Sequence, residues 1–207
     1  MDNVFVIDPL YTIWLLIGCI ILLVIKANNP KRQLIIKWSL ALSTFYLFVG
    51  LCINLFVTNH FKNELTRQNI SYEKIKVVPT PFNTILWQVI VKSKDGLYFS
   101  DYSLFDSKPN AQFIFEKNDV QFLEEKKKIK ELEPYFNFTE GYELARKENN
   151  QMVVYGTKFG PLSMENGKTQ FIFPLTFNED GSYHLAQKRP KDYKKILKRI
   201  FIRLKGN

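Results

Sequence analysis

Two long uncharged runs constrain the fold of this 207-residue chain more than any other feature. No charged side chain occurs in residues 10–25 or in residues 38–59. A transmembrane helix needs about 20 mainly apolar residues, and both runs approach that length. Asp2 and Asp8 stand where a signal peptide would carry basic residues. We therefore predict a two-helix transmembrane hairpin within residues 1–59.

The second run carries small and polar residues at spacings that share one helical face: Ser39, Ser43, Gly50 and Asn54. Small residues let another helix approach closely, so we predict helix packing on this face. A polar path for a substrate is the alternative use of the same side chains.

Basic residues are concentrated between the two runs. Residues 26–37 contain Lys26, Lys31, Arg32 and Lys37, whereas the second run is followed only by Lys62 and Arg67. Short loops rich in Lys and Arg stay in the cytoplasm. We therefore predict an inner-membrane protein with two spans, a cytoplasmic 26–37 loop and an extracytoplasmic domain after residue 59.

The excess positive charge lies at the C-terminus. The chain has 29 Lys and Arg against 20 Asp and Glu, a net charge of +9. Residues 188–207 alone hold nine basic side chains and one acidic side chain. After Pro190, apolar residues recur every three to four positions, which predicts a basic amphipathic helix: Tyr193, Ile196, Leu197, Ile200 and Leu204.

This tail helix has two predicted roles. It can lie on anionic lipid headgroups, where each well-placed Lys or Arg is worth about 1 kcal/mol. It can equally pack on its own domain with solvated lysines. Nucleic acid is not expected as a partner, because that role needs a cytosolic tail and base-reading or aromatic side chains. The predicted partner is the lipid bilayer.

Residues 60–187 have the pattern of a mainly antiparallel β domain. The runs "TILWQVIVK" and "LYFSDYSLF" alternate apolar and polar residues around the turn "SKDG", which predicts a hairpin. A helix with an apolar side is predicted from Asn118 or Asp119 to Leu132. The chain is therefore predicted to be α+β, with one or two helices among the strands. Further strands are predicted at 112–116, 141–147, 151–159 and 169–177.

Side chains suited to metal or acid–base chemistry are sparse. The two histidines, His60 and His184, have no second ligand at metal-binding spacing. Both cysteines lie in the uncharged runs, so no disulfide framework is predicted. Asp101 and Asp106 could form an acid pair, but alternation along a strand would point them to opposite faces, which favours strand-end and turn roles. No metal site is predicted.

The stretch "PTPFNTILW" lies between the predicted anchor and the β domain. Pro79 and Pro81 each fix φ at about −65° and favour extended neighbours. We predict that residues 78–81 form a stiff structural connector with few donors for a sheet, and that Asn83 forms a turn. The alternative is a binding loop in which Thr80 or Asn83 contacts a substrate. Two apolar rings are predicted to hold the connector in place: Phe82 and Trp87.

Three stretches together resemble one protein family: "FVIDPLYT", "VPTPFNTILWQVIV" and "DGLYFSDYSLFD". They are similar to the C-terminal part of bacterial inner-membrane metal-dependent hydrolases of the YdjM-like, LexA-regulated type. The likeness continues more loosely through "GYELARKENNQMVVYGTKFG". These motifs are not a catalytic signature in themselves.

The resemblance implies that the His and Asp ligands of a divalent metal lie in an N-terminal membrane portion, ahead of the Asp-Pro motif. This sequence begins almost at that motif. We therefore expect an internal start, a split gene or a shortened member, and no cofactor in this chain. Asp8 is the single candidate catalytic residue, which a site formed by upstream helices could recruit. Its alternative role is to start a helix.

The resemblance thus implies the C-terminal, membrane-anchored part of a metal-dependent hydrolase, completed by an upstream membrane polypeptide. The alternative is a non-catalytic, membrane-anchored interaction module that presents a β domain at the cell surface. The DNA immediately before the codon for Met1 discriminates between them. Apolar helices carrying His and Asp would favour the enzyme, and an unrelated gene would favour the module.

Overall fold

The computed structural model describes most of the chain, namely residues 8–81, 83–107, 111–165, 168–171, 173–178, 180–185 and 193–206. Within these ranges the helices are α1 (Pro9–Val24), α2 (Lys31–Arg67), α3 (Val120–Lys126), α4 (Glu133–Thr139) and α5 (Tyr193–Leu204), with a 3-10 turn at Lys130–Leu132. The strands are β1 (Lys74–Pro79), β2 (Leu86–Lys92), β3 (Gly96–Ser103), β4 (Ile114–Lys117), β5 (Glu143–Glu148), β6 (Gln151–Gly156), β7 (Ser163–Glu165), β8 (Lys168–Gln170), β9 (Pro174–Phe177) and β10 (Tyr183–Leu185).

The connection between α1 and α2 is shorter than predicted. Because α2 begins at Lys31, three of the four basic residues of the predicted 26–37 loop lie on the helix. Arg32 has a specific structural role there. Its Nη1 donates to the carbonyl oxygens of Leu22 at 2.7 Å and Ile25 at 2.8 Å. These carbonyls lie at the end of α1, where no further helical donor follows, so Arg32 joins the two helices.

The predicted close-approach face of α2 is confirmed at its α1 side. A Cβ built on Gly18 of α1 would lie 2.0 Å from the Ser39 Oγ, so only glycine fits there. Ser43 is buried, and its Oγ donates to the Tyr11 carbonyl at 3.5 Å. Asn54, further along the same face, donates to the Val77 carbonyl of β1 at 3.3 Å. The polar face therefore packs against α1 and then against the β domain.

One described helix, α2, is long and apolar enough to cross a membrane by its length and composition. It has 37 residues, whereas the apolar helix α1 has 16. Helix α2 passes through the predicted boundary at residues 59 and 60 without a break. Its last turns carry Val57, Phe61 and Leu65, which are fully buried in the β domain.

The strands form antiparallel sheets, as the sequence predicts for an α+β chain. Sheet 1 has the order β1-β2-β3-β4, and sheet 2 has the order β10-β9-β6-β5. Strands β7 and β8 form a separate hairpin. The predicted β2–β3 hairpin is confirmed, with Leu86 opposite Ser103 and Lys92 opposite Leu97. Its turn is closed by the Ser93 N–H, which donates to the Gly96 carbonyl at 2.9 Å.

The domain is layered, with helices outside and two sheets inside. One face of sheet 1 packs on α2 through Val77, Trp87 and Val89. The other face packs on sheet 2, where Ile90 and Phe99 belong to the same buried cluster as the sheet 2 residues Leu144 and Tyr155. Helix α3 and the Leu132 turn cover the far face of sheet 2. Strand β2 is therefore buried on both sides, which explains its nearly continuous apolar sequence.

Two predicted elements are divided in the structure. The helix predicted from Asn118 or Asp119 to Leu132 is divided into α3, which ends at Lys126, and the 3-10 turn Lys130–Leu132, and α4 follows from Glu133. Its start is confirmed, since the Asp119 carboxylate accepts from the Phe122 N–H at 3.0 Å. The predicted strand 169–177 is also wrong as a single element. Its two ends belong to β8 and β9, in separate sheets.

Residues 78–81 are not the predicted connector between anchor and domain, because Val78 and Pro79 are the last residues of β1. Strand β1 pairs with β2 along its whole length, from Lys74 opposite Lys92 to Pro79 opposite Trp87. The Thr80 N–H extends the pairing by donating to the Leu86 carbonyl at 2.9 Å. Proline is tolerated here because β1 is an edge strand and Pro79 is its last residue.

Candidate functional site

A cavity of about 100 Å³ lies between sheet 1, the loop after β6 and α5. It sits at the end of sheet 1 where β1 finishes and β2 starts, so Thr80 and Leu86 form part of its wall. The loop after β6 and helix α5 form the other walls of this partly open cavity. The lining is mainly apolar with a few polar groups, as in small binding sites. Apolar lining side chains include Leu86, Phe159, Pro161, Leu162 and Ile200.

The loop after β6 is fixed against the sheet by Gln88. The Gln88 Nε2 donates to the Pro161 carbonyl at 3.0 Å. Gly160 approaches the same side chain closely: a Cβ built there would lie 2.2 Å from the Gln88 Oε1. Its φ of +78° also favours glycine. The wall formed by this loop is therefore held in one position.

Arg203 of α5 brings together the two carboxylates that the sequence analysis considered as an acid pair. Its Nε donates to the Asp101 Oδ1 at 2.9 Å, and its Nη1 donates to the Asp106 Oδ1 at 2.8 Å. The prediction of opposite faces is wrong, because β3 ends at Ser103 and the chain turns before Asp106. The hydrogen bond from Arg203 to Asp106 is the largest of the effects that raise the pKa of the guanidinium. The carboxylates serve as anchors for α5.

The turn role predicted for Asp106 is confirmed by a second contact. Its Oδ2 accepts from the Ser103 N–H at 2.8 Å, across the turn that follows β3. The Ser103 Oγ also donates to the Leu204 carbonyl at 3.0 Å, so the end of β3 receives the end of α5. These contacts support the predicted alternative in which the tail helix packs on its own domain.

Arg199 is the cationic group that faces the cavity with the fewest close partners among the described residues. Its Nη1 donates to the Ser163 Oγ at 3.0 Å, and its Nη2 lies 3.9 Å from the Asp101 carboxylate. A guanidinium has five N–H donors. Arg199 can therefore donate to a carboxylate, an amide oxygen or a hydroxyl oxygen at the cavity wall without a change in fold.

An aromatic pair lies beside the cavity. The rings of Phe138 and Phe159 are 5.8 Å apart, and both are exposed. The ammonium of Lys158 lies 5.3 Å from the Phe138 ring and pairs with Glu140, which also pairs with Lys76. The hydrogen bonds from Lys158 and Lys76 lower the pKa of Glu140 to about 2. The carboxylate therefore stays ionised and holds both lysines beside the ring pair.

Asn83 has the structural role that the turn prediction assigned to it. Its Oδ1 accepts from the N–H groups of Ile85 at 3.0 Å and Leu86 at 2.8 Å. Its Nδ2 donates to the Thr80 Oγ1 at 2.8 Å and to the Pro81 carbonyl at 3.0 Å. The amide thus uses its hydrogen-bonding capacity on its own loop. Phe82, predicted to hold this stretch in place, lies outside the described residues.

Asp8 lies where α1, α2 and this loop meet. Its side chain starts α1 by accepting from the Leu10 N–H at 2.9 Å, which is the predicted alternative role. Its other oxygen accepts from the Tyr46 hydroxyl at 2.8 Å, and that hydroxyl lies 3.4 Å from the Thr84 Oγ1. Asp8 is 3% exposed. The loop between β1 and β2 is therefore at the level of the N-terminal end of α1.

The two histidines are not brought together. His60, on α2, stacks on Tyr102 with ring centroids 4.3 Å apart, and burial lowers its pKa although Glu64 and Asp106 act in the opposite direction. His184 is exposed on the edge strand β10. Within the part of the chain that the structure describes, no group of three or more His, Cys, Asp or Glu side chains is arranged to hold a metal ion.

The cavity is not predictable from local sequence patterns. Its lining residues come from distant parts of the chain, such as Thr80, Phe159 and Arg199. The available signals were the two prolines of "PTPFN" and the Gly-Pro pair of "FGPL". Comparisons of this chain with protein families, with curated proteins and with solved structures find no match.

Proposed function

We propose that the chain is a membrane-anchored interaction module. Helices α1 and α2 form the two spans, the β domain lies on the extracytoplasmic side, and the cavity beneath α5 receives an apolar group of a partner. The observation that carries the proposal is the continuity of α2. Its apolar part exposes large side chains such as Phe45, Phe48 and Phe56, while its last turns are buried in the domain core.

Exposure of apolar side chains on α1 and α2 supports the two spans. Leu16, Leu23 and Val24 of α1 are exposed, as are Trp38 and Leu40 of α2. Contiguous apolar surface of this kind is costly in water and favourable in lipid. Arg32, Lys31 and Lys37 lie at the end of the pair opposite to the β domain, which supports a cytoplasmic location for that end.

The topology predicts a labelling pattern in cysteine-free protein, in which Cys19 and Cys52 are replaced by alanine. When the full chain is produced in a bacterial inner membrane, Lys94→Cys should react with an impermeant maleimide in intact spheroplasts. Lys31→Cys should react only after the membrane is opened. Both native side chains are exposed, so the difference reports the side of the membrane. Labelling of residue 31 but not of residue 94 in intact spheroplasts would reverse the proposed topology.

The cavity supports the interaction part of the proposal. A volume of about 100 Å³ accommodates a group the size of one apolar side chain. Exposed Phe138 and Phe159 provide adjacent aromatic surface, which is enriched in interfaces. Arg199 provides a donor for a polar group next to the apolar one. A protein partner that inserts one apolar residue beside a main-chain carbonyl or carboxylate matches this arrangement.

A photo-crosslinking amino acid tests this site in cells. We place benzoyl-phenylalanine at Phe159 of the full chain. We expect one discrete crosslinked adduct between the chain and a partner protein, because position 159 lies at the cavity rim. The same amino acid at Lys94, on the opposite end of sheet 1, serves as the control. Leu162→Trp should fill the cavity and weaken the adduct. Equal adducts from positions 159 and 94, or an adduct unaffected by Leu162→Trp, would contradict the cavity as the binding site.

The predicted relation to metal-dependent membrane hydrolases is the second candidate. It is supported by the resemblance of the three sequence stretches and by the burial of Asp8 at the junction of α1, α2 and the loop after β1. In this candidate the upstream membrane polypeptide supplies the metal ligands, and this chain supplies the attached domain. An upstream coding stretch with apolar helices, His and Asp would support it.

A further inference from the structure

Helix α5 has an exposed face that differs from its predicted apolar stripe. Ile200 and Arg203 point towards the domain, as their cavity and Asp101 contacts require. The opposite side carries large exposed apolar residues, with Phe201 65% exposed. On a helix turning by about 100° per residue, exposed lysines lie within the same arc. We define this outer face by Lys194, Leu197, Lys198, Phe201, Ile202 and Lys205.

The outer face lies at the end of the β domain that is nearer to α1. The C-terminal end of α5 is held by Ser103, which pairs with Leu86 at that end of sheet 1. Two residues before Leu86, Thr84 meets the Tyr46 hydroxyl and hence Asp8. Exposed Phe105 follows Ser103, and Gly206 packs on its carbonyl, so Phe105 extends the apolar surface beyond the helix.

We infer that the outer face of α5 docks on the anionic headgroup region of the leaflet that the two spans enter. This inference rests on the proposed anchoring by α1 and α2. The charge is complementary, because lysines alternate with apolar residues on the outer face and acidic residues are absent from α5. Lysine stems reach past apolar neighbours to place the ammonium groups among phosphates. The apolar side chains enter the boundary between headgroups and acyl chains.

Helix α5 can dock on lipid while it stays packed on its own domain, because Arg199 and Arg203 face the domain. Arg203 is engaged by Asp101 and Asp106, and Arg199 by Ser163. The lysines of the outer face are separate from these contacts, since their positions lie on the opposite side of the helix. Helix α5 is thus held by one face and presents cationic and apolar groups on the other.

Depth measurements in nanodiscs test the docking. The full chain, with Cys19 and Cys52 replaced by alanine and Phe201→Cys carrying an environment-sensitive fluorophore, is reconstituted in discs with or without phosphatidylglycerol. We expect emission from an apolar environment, and quenching by nitroxide-labelled acyl chains, in the anionic discs. A fluorophore at Lys94→Cys, at the far end of sheet 1, should remain in water. Because position 201 is exposed, labelling removes no packing.

The lysines provide the second variant. Lys194→Gln, Lys198→Gln and Lys205→Gln together should weaken the docking equilibrium about a hundredfold, since each lysine near an anionic surface is worth roughly a fivefold change. Salt at about 1 M should act in the same direction by screening. Unchanged circular dichroism verifies the fold.

Two outcomes would overturn the docking: emission from water at position 201 in the anionic discs, or quenching that is independent of the lysines and of phosphatidylglycerol. Emission from an apolar environment that is equally strong in neutral discs would also contradict docking on anionic headgroups, and would point to self-association or to insertion that does not depend on charge. Failure of the chain to remain in the discs would contradict the anchor itself, and is detected separately by co-purification of the chain with lipid.

Discussion

Phe61→Ala is expected to lower the free energy of unfolding of the β domain by about 3–5 kcal/mol. Phe61 is 0% exposed and lies where the last turns of α2 enter the core of sheet 1. Its ring contacts the aromatic cluster at the Tyr102 and Phe113 side chains. Truncation would leave a cavity in this cluster. Thermal unfolding of the full chain in detergent micelles should show a Tm lower by about 10 °C.

The same helix offers a matched control. Phe48 lies 13 positions earlier on α2 and is 61% exposed. Phe48→Ala removes the same atoms from an exposed surface, so the expected change in the unfolding free energy is below about 1 kcal/mol. Equal losses from both variants would show that the end of α2 is not part of the domain core.

Arg203→Met is expected to lower the free energy of unfolding by about 3 kcal/mol, at the low end of the range for removing one member of a buried ion pair. The side chain of Asp106 is 5% exposed and that of Asp101 is 18% exposed, so removal of their shared cation leaves carboxylates in a poorly solvated place. The end of α5 should then detach from Ser103. Faster proteolysis within α5, measured on the full chain, reports that detachment.

Two controls identify the cause of this loss. Lys198→Met changes a lysine on the exposed side of the same helix, and should alter the unfolding free energy by less than about 0.5 kcal/mol. Asp101→Asn and Asp106→Asn, combined with Arg203→Met, should recover part of the stability because the carboxylate charges are gone. A triple variant no more stable than Arg203→Met would contradict the proposed electrostatic cause.

The elements with strong local signals were predictable from sequence. Alternation on both sides of "SKDG" identifies β2 and β3, and Asp119 marks the start of α3. Small residues on α2 identify the side that meets α1, because close approach requires Gly18 and Ser39. In each case the information lies within a few residues or at a fixed helical spacing.

The errors arise where distant contacts decide the structure. Strand β1 exists because its partner β2 supplies hydrogen bonds, although Pro79 locally argues against a strand. Asp101 and Asp106 meet because a turn follows Ser103, and Arg203, about a hundred residues later, occupies the space between them. The cavity has the same origin, since β1, the loop after β6 and α5 form it jointly.

The unbroken course of α2 gives the molecule the mechanics of a lever. From Tyr46, at the level of Asp8, to Arg67 the helix rises about 30 Å, and its end is fixed in sheet 1. A membrane span changes its tilt when the thickness of the surrounding lipid changes. By simple trigonometry on that rise, a change of about 10° would displace the far end of the domain sideways by about 5 Å. In the proposed two-span arrangement, bilayer thickness would thereby set the height and tilt at which the cavity is presented above the membrane.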